Sequence, residues 1–332
     1  MTSSATPLKF LGAGWFSSVM GLCGLALAWH RAAPRMGEMA DAAALVLGGL
    51  AALCFVILLG FYLQRRSRHP QAAVEDFRHP VRHPFVAMLP ISMVLLAAVA
   101  VNLFGPKLWL TVLWLAGSAW QFAVTLWLLS RWFNGSKDGG LAWAGVTPVL
   151  FLPVVGNVLV PLAGVPLGFE VWSLAQFGIG LFFWPLIMLL LFVRIAVQGM
   201  WPERLMASTF ITVAPPAAVG LALLQWGAPV ALAWMAWGVA LFFLLWSAQV
   251  FRRVLAQPFS MAFWGMSFPL TAFCALTLRL GQGEPAWFGA LGMLLLALST
   301  LVVAALVLAT YKGLRASTLL VPEQIALLEA KP

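Results

Sequence analysis

Ten apolar runs, most of them about 20 residues long, succeed one another along this 332-residue chain. They fall near 10–30, 40–63, 85–104, 108–130, 147–163, 171–193, 205–226, 229–251, 259–280 and 286–311. A run of about 20 apolar residues crosses the hydrocarbon of a bilayer as one helix. Every backbone N–H and C=O at that depth must find its partner inside the protein, so long apolar runs there are helices. The runs therefore predict an all-α integral membrane protein of ten transmembrane helices.

Composition agrees. The chain is 63% hydrophobic and 9% charged, which excludes an ordinary soluble domain. The spans share one bundle, so residues 1–332 read as a single transmembrane domain, with spans over about 10–311 and a short polar tail over 312–332. The first run follows a lone Lys9 and lacks a small-x-small cleavage site, so it reads as a retained span. Cys23, Cys54 and Cys274 lie inside apolar runs at no ligand spacing and read as small core residues.

The basic residues orient the chain. Fifteen of its 19 Lys and Arg fall in the N-terminus, the loops after even-numbered runs, and the C-terminus, Lys137 and Lys331 among them. Only Arg31, Arg35, Lys107 and Arg279 fall on the other side. The positive-inside rule places both termini in the cytoplasm. The formal net charge of +9 is thus a topology signal and no mark of nucleic-acid binding. Trp15, Trp29, Trp109, Trp132, Trp172, Trp226 and Trp287 lie near run ends, where indole rings favour the membrane interface.

Prolines mark an internal rhythm. Pro90, Pro153, Pro215 with Pro216, and Pro269 stand in the middle of the third, fifth, seventh and ninth runs, at spacings of 63, 62 and 54 residues. A helix-interior proline removes one hydrogen bond and crowds the carbonyl four residues back, which for Pro269 is that of Gly265. The same odd runs carry Ser17, Ser18, Ser92, Asn157, Ser208, Thr209, Thr212, Ser260, Ser267 and Thr271. Disrupted backbone survives in a bilayer only when buried in protein or facing a cavity. A period near 60 residues then predicts five helical hairpins, the odd helices around a central axis and the even helices outside. Close helix packing through small residues is the other explanation of the same pattern. Pro185 in the sixth run is an exception, and Pro229 and Pro285 stand at run starts, where proline is tolerated.

No Asp, Glu, Lys, Arg or His occupies the centre of a run, with Glu170, Arg194, Arg279 and Glu284 near the ends. Ion-coupled carriers usually place an ionisable group there. A water-filled or gated path without fixed charge fits a channel, or a carrier that uses only backbone and hydroxyl dipoles. Helix N-termini and a basic cytoplasmic mouth would favour anions. Enzyme signatures and cofactor-binding motifs do not occur. His69, His79 and His83, each followed by Pro, admit a metal site with Glu75 or Asp76, or a solvated loop of extended X-Pro units. Phe268, beside Pro269 in a stretch of small residues, reads either as a ring projecting into a passage or as packing.

Five segments in order carry a resemblance. They are GAGWFSSVMGLCGLALAW at 12–29, HPVRHPFVAMLPI at 79–91, TPVLFLPVVGNVLVPLAG at 147–164, PERLMASTFITVAPPA at 202–217 and PFSMAFWGMSFPLT at 258–271. Together they resemble the tellurite-resistance/dicarboxylate transporter family, which takes in bacterial TehA proteins and the plant slow-type anion channels. The resemblance implies a homotrimer in the bacterial inner membrane, with a central pore in each ten-helix protomer. Phe268, four residues after Trp264, falls on the family's occluding phenylalanine. Phe16, Pro90, Pro153, Pro215 and Pro269 match its kinked lining, and Ser17 and Thr271 join them as pore-lining positions. Ser17 stands where TehA-like proteins often carry glycine, adding bulk and a hydroxyl. The implied substrates are small anions such as chloride or nitrate; the alternative is a secondary transporter of four-carbon dicarboxylates or tellurite.

Overall fold

The computed structural model describes residues 7–134, 140–282 and 286–321. Lys137, Glu284, Pro285, Lys331 and residues 322–332 of the tail lie outside the described residues. Among the described residues the structure is helical, without strands. Ten helices organise it: α1 (Ser17–Arg31), α2 (Glu38–Arg68), α3 (Met88–Phe104), α4 (Leu108–Phe133), α5 (Leu152–Leu159), α6 (Glu170–Gln198), α7 (Ala214–Gln225), α8 (Val230–Gln249), α9 (Ser267–Leu280) and α10 (Ala286–Arg315).

Two layers separate by burial. In His83–Phe104, Glu203–Gln225 and Met261–Leu280, 83% of the most apolar stretch is buried. In α2, α4, α6, α8 and α10 the share lies between 28% and 44%. Every residue of α5 is buried, and so is α1 from Ser17 to Ala26. The odd helices therefore form the core and the even helices present apolar faces outward. Each inner helix packs on the next, from α1 through α3, α5 and α7 to α9, and α9 packs back on α1, which closes a ring. Each inner helix also packs on the outer helix that follows it.

Among the described residues eight helices are long and apolar enough to cross a membrane, against the ten expected from the apolar runs. The first and fifth runs are the shortfall. α1 has 15 residues, and the apolar stretch Pro148–Gly164 has 17. Helix type also changes along the inner runs. All five inner helices are entered through a 3-10 stretch: Ala13–Phe16, His83–Ala87, Pro148–Phe151, Glu203–Val213 and Met261–Met266.

The same change relocates the prolines. They do not kink continuous α-helices. Pro90 and Pro269 are third residues of α3 and α9, and Pro153 and Pro215 are second residues of α5 and α7. A proline in a first α-helical turn lacks an N–H that has no intrahelical partner in any case. Each thus stands mid-run yet at an α-helix start. Pro185, inside α6, is the interior exception expected from the sequence.

Charges and glycines finish several of the helices. α2 has Glu38 and Asp41 in its first turn and Arg65, Arg66 and Arg68 in its last, complementing the helix dipole at both ends. α3 and α6 stop at Gly105 and Gly199, whose φ of 70° and 75° suits glycine alone. Trp109 and Trp287 are exposed, as befits an interface belt, whereas Trp15 is buried inside.

Candidate functional site

On the axis of the inner ring lies a cavity of about 30 Å³. All five inner segments wall it: Ser17 and Met20, Met88 and Ile91, Leu152 and Val155, Ile211 and Ala214, and Trp264, Gly265, Phe268 and Pro269. Its volume would admit a water, but a buried water needs two to four polar partners, roughly. The cavity's side-chain N–H and O–H groups are already committed: the Ser17 hydroxyl donates to Gly14 O at 2.7 Å and the Trp264 indole N–H to Thr310 Oγ1 at 2.9 Å. The space is apolar and carries no charge.

Of the residues singled out in the sequence, Ser17, Phe268 and Pro269 line this cavity. Phe268 is 5% exposed. Phe16, Pro90, Pro153, Pro215 and Thr271 are buried but do not line it. Phe16 turns outward, its ring edge-on to Phe55 and Tyr62 of α2 at 5.7 and 6.0 Å. The Pro153 carbonyl accepts hydrogen bonds from Gln121 Nε2 (2.8 Å), Thr125 Oγ1 (2.7 Å) and Asn157 Nδ2 (2.7 Å). Thr271 Oγ1 donates within α9, to Ser267 O at 3.0 Å or Phe268 O at 2.9 Å. The lining residues missed by sequence reasoning are mostly the neighbours of the prolines. Met88 and Ile91 flank Pro90, Leu152 and Val155 flank Pro153, and Ala214 precedes Pro215. Proximity to a mid-run proline was the available signal.

A second, larger cavity of about 320 Å³ opens at the end of the bundle where α1 and α9 are entered. Gly14, Trp15, Ser260 and Met261 border it, one turn from the residues of the apolar void. Its charged wall comprises Lys9, Arg65, Glu75, Asp76 and Arg82, and Thr318–Val321 close one side. Asp76 bridges two guanidiniums, Arg65 Nη1 at 2.7 Å and Arg82 Nη1 at 2.9 Å. Arg65 is 3% exposed and also donates to Lys9 O (2.7 Å) and Ala72 O (3.3 Å). Its charge is buried but fully engaged, as a buried charge must be.

The histidines of this region serve the fold. Trp132 Nε1 can only donate, so the His83 Nε2 it meets at 2.8 Å is an acceptor, and His83 Nδ1–H donates to His79 O at 2.9 Å. His79 Nδ1 accepts from the backbone N–H of Val81 (3.1 Å) and Arg82 (3.3 Å). Burial, with the neighbouring Arg82 charge, lowers the His79 pKa to about 4. Among the described residues no three His, Cys, Asp or Glu side chains come together as metal ligands.

Residues 11–311 match the SLAC1 family, described as a voltage-dependent anion channel. The chain is similar to the tellurite resistance protein TehA homolog of Haemophilus influenzae, at 22% identity over 79% of each protein. It is 24% identical to the uncharacterized transporter MJ0576 of Methanocaldococcus jannaschii, over 79% of this chain and 81% of that one. It is 28% identical to the S-type anion channel SLAH2 of Arabidopsis thaliana, over 66% of this chain and 42% of the plant protein.

Proposed function

The chain belongs to the SLAC1 family of multi-pass membrane proteins, and from that premise we propose that it is a channel for small monovalent anions, gated by Phe268. The observation that carries the reading is the uncharged void on the ring axis, walled by all five inner segments and occupied on one side by the Phe268 ring. An apolar ring in a narrow apolar path blocks ions sterically and by dewetting.

The path also ranks its substrates. An ion passing walls with one hydroxyl must shed most of its water, and the Born cost of that step grows with the square of the charge. Chloride and nitrate are favoured over four-carbon dicarboxylates or tellurite dianions. The mouth sets the three cations Lys9, Arg65 and Arg82 against the two carboxylates Glu75 and Asp76, a small positive excess that would favour anions at its entrance.

Length supports ten crossings. A 3-10 helix rises about 2.0 Å per residue and an α-helix about 1.5 Å, so Ala13–Arg31 reaches about 30 Å and Pro148–Gly164 about 28 Å. Both approach the roughly 30 Å hydrocarbon thickness. The protomer is then one domain of five helical hairpins around a pore. Both termini lie in the cytoplasm of a bacterial inner membrane, and the exposed faces of the even helices meet lipid or two further copies in a homotrimer.

The test is current through planar bilayers containing purified protein, with chloride or nitrate gradients. Wild type is expected to be silent, and Phe268→Ala to conduct with reversal near the anion equilibrium potential. Silence of both, with saturable uptake of a dicarboxylate or tellurite into liposomes, would replace the channel by a carrier.

A further inference from the structure

We infer that Gly24 of α1 is the positioning residue that seats the Phe268 ring, an assignment that rests on the gate reading above. Gly21 and Gly24 lie one turn apart on the face of α1 that packs on α9. A methyl group built on Gly24 would fall 3.0 Å from Phe268 Cδ2 and 3.2 Å from Thr271 Cβ, and closer still to Thr271 Oγ1. At Gly21 the corresponding atom would fall 2.7 Å from Ser267 Cβ and 3.1 Å from Trp264 Cε3. Bare backbone of α1 is therefore the wall against which the gate ring rests.

The surface facing that wall is fixed. Thr271 Oγ1 is held to Ser267 O or Phe268 O at 3.0 and 2.9 Å, and Ser267 Oγ to Trp264 O at 2.7 Å. Turning either hydroxyl aside would leave it unpaired in the core, which is unfavourable. The Phe268 ring has a freer direction, because the axial void borders it. A side chain at position 24 thus drives the residue at 268 into the void. Glycine at 24 sets how far the gate stands back from the axis.

The test measures anion current in planar bilayers from Phe268→Leu and Phe268→Ala, each with and without Gly24→Ala. Leucine at 268 still reaches the added methyl and alanine does not. Gly24→Ala is expected to lower the Phe268→Leu current by about threefold or more and the Phe268→Ala current by less than about twofold. The set is repeated in a Thr271→Ala background, where the added methyl has no hydroxyl to strike and only the 268 side chain in its way. That series decides the matter if Gly24→Ala alone does not yield folded protein by size exclusion. Equal losses in both 268 backgrounds, or no loss in either, would overturn the assignment while leaving the channel intact. Silence of both Phe268 variants would instead remove the gate, and the role of Gly24 with it.

Discussion

Replacing Asp76 with alanine removes the carboxylate that, among the described residues, pairs with the buried guanidinium of Arg65. The Arg65 side chain is 4% exposed and meets Asp76 at 2.7 Å, while the Arg82 partner is 35% exposed. After the change Arg82 can turn to water, but Arg65 is left, among the described residues, with the carbonyls of Lys9 and Ala72. Breaking a buried pair by deleting one partner costs about 3–5 kcal/mol, because a charge is left uncompensated. At about 2 °C per kcal/mol for a large domain, this predicts a melting shift of about 6–10 °C in detergent. The control is Glu203→Ala, which breaks the Arg253–Glu203 pair where both side chains are about half exposed. Water takes over there, and little or no melting shift is expected. Tryptophan-fluorescence melts of the two variants beside wild type make the assay. Equal shifts would refute the reasoning, because depth of burial is the feature that separates the pairs.

Two further outcomes follow from the packing. His79 has its pKa lowered to about 4, against 6.5 in an unfolded chain, so between these values the unfolded state binds more protons. Stability should fall as pH drops through that window, and melts from pH 7.5 to 4.5 should show a shallower fall in His79→Gln. A methyl on Gly164 would meet Trp114 Cε2 at 2.9 Å, and that indole is anchored through Nε1 to Val160 O at 3.0 Å. Gly164→Ala should therefore cost about 1–3 kcal/mol as overpacking, read as a lowered melting temperature with unchanged helical circular dichroism.

The chain by itself determined the class of the protein and much of its plan. Apolar runs too long and uncharged for any soluble core require membrane helices, whatever their packing. Mid-run prolines recurring in odd runs with small hydroxyls beside them, such as Ser92 with Pro90 and Thr271 with Pro269, marked those runs as the inner ones, and burial agrees. Tertiary structure decided the details of the axis. Apolar runs carry no record of where a 3-10 stretch gives way to an α-helix, so Pro153 read as a kink although it begins α5. Rotation about each helix axis was equally hidden, because these helices are apolar all round. Phe16 consequently turned out to face α2, and the void belongs to Met20, Met88, Ile91 and their neighbours. Nothing in the chain tied Gly24 to Phe268. Its meaning comes from the Phe268 ring and the Thr271 hydroxyl on another helix, 244 and 247 residues away in sequence, which only the closing of the ring brings against it.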